Sequence, residues 1–111
     1  MDENKITIYQ GKNEVVVFEV PEDFDVEAAV RVVFAMKSGE FGDILYEYEM
    51  DYFDGLGGYK LWMGHDDTES IPEGIYTYDV SWYDSGDQFW VLVPASPIEV
   101  KRGVGRFSEE V

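Results

Sequence analysis

His65 is the only histidine of the chain, and Asp66 and Asp67 follow it directly. A histidine, a carboxylate and a serine could together make a hydrolytic triad. No nucleophile elbow or other strained-turn signature accompanies them, so His65 reads as a loop residue beside a short helix start. Acids such as Asp51, Asp54, Asp84 and Asp87 fall at loops or strand ends, where oxygen ligands would suit calcium. The segment "DYFDGLGGYKLW" nevertheless lacks the ligand spacing of an EF-hand loop. It is no phosphate loop either, because its glycines lack a following Lys-Ser/Thr and open a strand. With 24 acids present, a pair for glycoside hydrolysis could be picked anywhere and none is singled out. Cysteine is absent, which removes disulfides, thiolate nucleophiles and Cys-ligated zinc together. The expectation is no catalytic group, no cofactor and no metal site.

Binding chemistry is better represented. Trp62, Tyr83 and Trp90 lie out of phase with the apolar residues that their strands would bury. They could form an exposed aromatic patch, which marks a protein interface or, alternatively, a sugar-stacking platform. At the C-terminus, Lys101, Arg102 and Arg106 hold three of the eight bases, on a short glycine-bearing stretch. This basic strap could lie on an acidic neighbour or be a frayed end. Overall, 24 acids against 8 bases give a net charge of −16. That field repels phosphate backbones and anionic lipid, so neither nucleic acid nor membrane is an expected partner.

The elements that must carry these residues are strands. Apolar and polar residues alternate over 5–10, 14–20, 28–37, 44–51, 58–63, 73–83 and 88–93, and again over 97–101. Residues 26–36 could be drawn as a helix, but their β-branched content and odd–even sorting favour a strand. Pro94 and Pro97 argue for two separate final strands. Residues 65–74 have room for one helical turn, capped by Asp66 or Asp67. Seven or eight strands at about ten-residue spacing predict an all-β, immunoglobulin-like antiparallel sandwich. Its domain would span 1–101, with 102–111 as tail. Within it, Gly74-x-Tyr76 at the start of the longest strand predicts a tyrosine corner, with an acceptor in 68–72. Tyr78 stands where bridged domains carry a cysteine, and would fill space there instead.

Three stretches, "ITIYQGKNEVVVFEV", "VRVVFAMKSG" and "GYKLWMGHDDTESIPEGIYTYDVSWYDSGDQFWVLV", carry a family likeness. With them the chain resembles the small immunoglobulin-like domains of tailed-phage structural proteins, in particular the N-terminal domain family of the phage baseplate upper protein. "VPASP" replaces a glycine expected before the final strand. The resemblance implies a non-enzymatic virion protein assembled in a host cytoplasm. Its partners would be other virion proteins and further copies of itself.

Overall fold

The computed structural model describes residues 4–38 and 42–102. Seven strands form among them: β1 (Ile6–Tyr9), β2 (Glu14–Glu19), β3 (Arg31–Lys37), β4 (Ile44–Phe53), β5 (Gly58–Met63), β6 (Gly74–Tyr83) and β7 (Phe89–Lys101). One short helix, α1 (His65–Glu69), and one 3₁₀ turn, Asp54–Leu56, complete the elements. The strand order is β1-β7-β6-β3-β4-β5-β2. β4 is shared between two layers. Its first part pairs with β3, whereas Asp51–Phe53 pair with β5. The larger layer is therefore β1-β7-β6-β3-β4 and the smaller β4-β5-β2. Every pairing is antiparallel except β1 on β7, which is parallel.

The alternation read from the sequence becomes the core. Val32, Phe34 and Met36 of β3 face Tyr59, Leu61 and Met63 of β5, with Tyr78, Val80, Ile98 and Val100 beside them, all buried. At the centre, Phe18, Phe34 and Tyr78 form a three-ring cluster. Phe34 and Tyr78 stack at 5.5 Å, and Phe18 lies 5.9 Å from Tyr78 and 6.3 Å from Phe34. This cluster joins β2 of one layer to β3 and β6 of the other. Such ring contacts add about 0.5–1.5 kcal/mol per pair beyond area burial. The Tyr78 hydroxyl donates to the Asn4 carbonyl, so the polar tip is also satisfied.

Three sequence expectations need correction. First, the third strand begins at Arg31, not at 28. The Asp25 carboxylate accepts from the Glu27 and Ala28 amides and turns the chain, leaving Val30 exposed outside the core row. Second, β7 runs unbroken through Pro94 and Pro97. Its register against β6 slips between the Tyr78–Ser96 and Val80–Val93 pairs, and the slip contains Pro94. Third, the cap of α1 is Gly64; Asp67 instead reaches back to the Gly64 amide at 3.1 Å. Buried Thr68 then pins α1 to the turn that connects β1 to β2. Its hydroxyl donates to the Lys12 carbonyl at 2.8 Å and accepts from the Lys12 amide at 3.1 Å.

Candidate functional site

The β6–β7 hairpin is built around one carboxylate. Asp84 Oδ1 accepts from the Gly86 and Gln88 amides, both at 2.9 Å, and Oδ2 accepts from Trp90 Nε1 at 3.1 Å. These bonds, the Trp90 one foremost, hold its pKa below the usual 3.8. Asp87 completes the turn with a left-handed φ of 63°. The turn thereby fixes the first residues of β7. Trp90 pairs with Trp82 and stacks on it at 6.0 Å, while Phe24 meets the other indole edge-on at 5.6 Å.

Phe89 and Val91 point to the opposite side, onto the outer face of the larger layer. Phe89 packs on Tyr83 at 5.4 Å, and the Arg31 guanidinium lies 5.1 Å from the Tyr83 ring centre. Beside them the small side chains of Val33, Ala35 and Ser81 floor a depression of about 150 Å³, bounded by the Lys37–Asp79 ion pair. Phe89 and Val91 remain 58% and 60% exposed, too much to belong to any core. The sequence reading passed over them. The available signal was the run 88–98, which contains no ionisable residue in a chain of net charge −16.

The three predicted patch residues do not converge. Trp62 stands on β5 opposite Val15, on the outer face of the smaller layer. It borders a cleft of about 240 Å³ between β4 and β5, shared with Phe53, Lys60 and Asp51. Tyr83 faces outward from the larger layer, and Trp90 lies against Trp82 on the inner side. The expected single aromatic patch is therefore replaced by three separate surfaces. Trp62 is set apart because β5 belongs to the smaller layer, and Trp90 because a register slip between Val80–Val93 and Ser81–Val91 changes the side to which it points.

The remaining predicted residues are placed as follows. The Tyr76 hydroxyl donates to the Pro72 carbonyl at 2.7 Å, tying the loop after α1 to β6. Gly74 has φ 155°, and a side chain there would meet the Tyr76 ring at 3.6 Å. Because this bond is exposed, water replaces the lost donor in Tyr76→Phe. The expected cost is about 0.5–1.5 kcal/mol, measurable by urea unfolding. Lys101 ends β7, and its carbonyl accepts from the Gln10 amide at 2.9 Å. Arg102 is exposed, and Arg106 lies outside the described residues. The His65 side chain is exposed and lies 3.1 Å from Asp66, its amide donates to Asn13 Oδ1 at 2.8 Å, and no serine among the described residues bonds to its ring. No three His, Asp or Glu among the described residues gather as a metal site.

Asp67 has a structural task. It accepts from the Tyr48 hydroxyl at 2.9 Å and from the Gly64 amide, linking β4 to α1, and its pKa is lowered, chiefly by the Tyr48 bond. The neighbouring Tyr46 hydroxyl is buried without a hydrogen bond, and burial raises its pKa. Asp67→Ala should lower Tm at neutral pH by on the order of 5 °C. The lowered folded value means that the ionised carboxylate stabilises above the ordinary 3.8. The gap between wild type and variant should therefore close as pH falls through the folded value, as thermal melts across pH would record.

No family model matches the chain, and no curated protein matches it. Among solved structures, the fibronectin(III)-like modules of Clostridium thermocellum CbhA superpose with a TM-score of 0.53 at 16% identity, over 90% of each chain. The fold is an immunoglobulin-like β-sandwich of the fibronectin III kind. At that identity the likeness describes architecture and says nothing of a ligand. No helix among the described residues is long and apolar enough to cross a membrane.

Proposed function

We propose that this chain is a non-enzymatic immunoglobulin-like module that acts by protein–protein contact as a structural part of a virion. One observation carries the contact reading. Large apolar side chains, Phe89 and Val91 above all, stand exposed along β7 on a sandwich whose interior is already filled. Exposed side chains of this kind on a rigid scaffold are anchors for another protein surface. A flat sugar platform needs its rings side by side, and Trp62, Tyr83 and Trp90 lie on three different surfaces.

The net charge of −16 favours protein partners over nucleic acid or anionic lipid. The virion setting is supported by the likeness of the sequence to phage immunoglobulin-like domains. Many copies arranged symmetrically would let weak contacts sum. Peptide mass spectrometry of phage particles released by the strain that encodes the chain tests this setting. The chain should be recovered in many copies per particle. Its absence from particles would remove the virion setting.

A further inference from the structure

β3 lies between β4 and β6, and on the outer face Ala35 stands between two carboxylates. Its partner on β4 is Glu47 and its partner on β6 is Asp79. In the next row Val33 has Ser81 beside it on β6. These side chains line the depression of about 150 Å³ noted above, and every residue around it is among the described ones. Two strand spacings, about 10 Å, separate the backbones of the two acids, which therefore stand on opposite sides of an apolar floor. Glu47 is exposed and has no ion-pair or hydrogen-bond partner among the described residues. Asp79 meets Lys37 at 3.9 Å, too far for a hydrogen bond. Ser81 is only 7% exposed, yet its hydroxyl has no hydrogen-bond partner among the described residues. Buried hydroxyls are normally bonded, so one that lines a depression unpaired points to a donor arriving from outside.

The chemistry of the depression selects that donor. Arg31 and Glu49 neutralise each other at one end, whereas Glu47 and Asp79 face the single charge of Lys37. One carboxylate is in excess, so the donor is a cation. Among the described residues no three acids gather to hold a metal ion. The volume is below the roughly 300–1,000 Å³ of small-molecule sites and suits one side chain. A lysine meets each condition. Its methylene stem lies on Val33 and Ala35 beside the Phe89 ring, and its three ammonium donors serve Ser81, Glu47 and Asp79. The flat fork of arginine instead suits one carboxylate taken edge-on. We infer that this depression receives a lysine side chain of a partner protein; the inference deepens the contact-module reading above and rests on it. Phe89 on the rim and Val91 beside Ser81 then pack on apolar residues that flank the lysine, a contact that a free amine does not make.

Titration of the full chain, followed by the amide shifts of a proton–nitrogen NMR spectrum, tests this with three probes. Acetyl-Leu-Lys-Leu-amide should shift Val33, Ala35 and Ser81 saturably, with a dissociation constant on the order of 1 mM. The same peptide with norleucine keeps the stem, lacks the ammonium, and should bind at least about tenfold more weakly. Butylamine, with no flanking apolar residues, should also bind at least about tenfold more weakly. Glu47→Gln, at an exposed position, should keep the fold by circular dichroism and weaken the lysine peptide about two- to fivefold, the range for an exposed ion pair. Ser81→Ala should weaken it too without lowering Tm, because it removes an unpaired buried hydroxyl. No shift at these amides with about 10 mM lysine peptide overturns the inference. So does a lysine peptide that both variants bind unchanged. Butylamine binding as tightly as the peptide would make the occupant a free amine and overturn the protein partner. A norleucine peptide that binds equally well would leave the contact module standing and remove the lysine. Lysine-dependent binding by a chain absent from particles would support the inference and remove only the virion setting.

Discussion

Tyr78→Ala is expected to destabilise the domain by about 3–5 kcal/mol, the range for removing a large buried aromatic. The ring is buried between Phe18 and Phe34 and touches both layers, so nothing nearby can fill the space without parting strands. The loss would consume much of the roughly 5–15 kcal/mol typical of such a domain. Tyr78→Phe separates the ring from its hydroxyl. It keeps the stack, leaves the Asn4 carbonyl short of a donor, and should cost only about 1 kcal/mol. Urea unfolding of both variants reads this directly. Similar costs for the two would mean that the hydroxyl, not the ring, fastens the layers.

Gly58→Ala is the second large effect. A Cβ at Gly58 would lie 2.3 Å from the Phe18 carbonyl oxygen and 2.8 Å from Glu19 Cα. Both are backbone atoms of β2, so relief requires β2 and β5 to separate at this end. The expected cost is about 3 kcal/mol or more, at the upper end for overpacking. Gly55, in the same turn, has nothing within 4 Å of an added Cβ. Gly55→Ala should therefore stay within about 0.5 kcal/mol of wild type. Equal unfolding midpoints for the two variants would contradict the packing described at Gly58.

These two sites illustrate what a sequence can and cannot convey. The alternation over 44–51 and 58–63 announces strands because one side of each must be apolar and the other wet. Tyr76 is legible for a related reason: a tyrosine entering a long strand beside glycine needs a nearby acceptor, and Pro72 supplies it. Pairing is less visible. Nothing in 44–53 says that one strand serves two layers, because that depends on which neighbours remain unpaired at Met50 and Asp51. The parallel union of β1 with β7 joins opposite ends of the chain and leaves no local signature.

The β7 strand shows the limit most clearly. Strict alternation counts residues, and a bulge adds one without changing composition. Two slips within β7 therefore hid both its continuity past Pro94 and the side on which Trp90 stands. Phe89 and Val91 were lost to view for the same reason, since a count without the slip assigns them to the core. What the sequence does display is the absence of charge from 88 to 98, a property that matters only once Phe89 and Val91 are seen to be exposed.

The central claim is that the exposed Phe89 and Val91 of β7 mark the surface on which this module makes contact. Amide hydrogen exchange, compared between the free chain and the chain assembled in the particle, examines it most directly. Slower exchange confined to Phe89–Val93 is the predicted result. Unchanged exchange there, or protection that appears instead around Trp62 and β2, would contradict it.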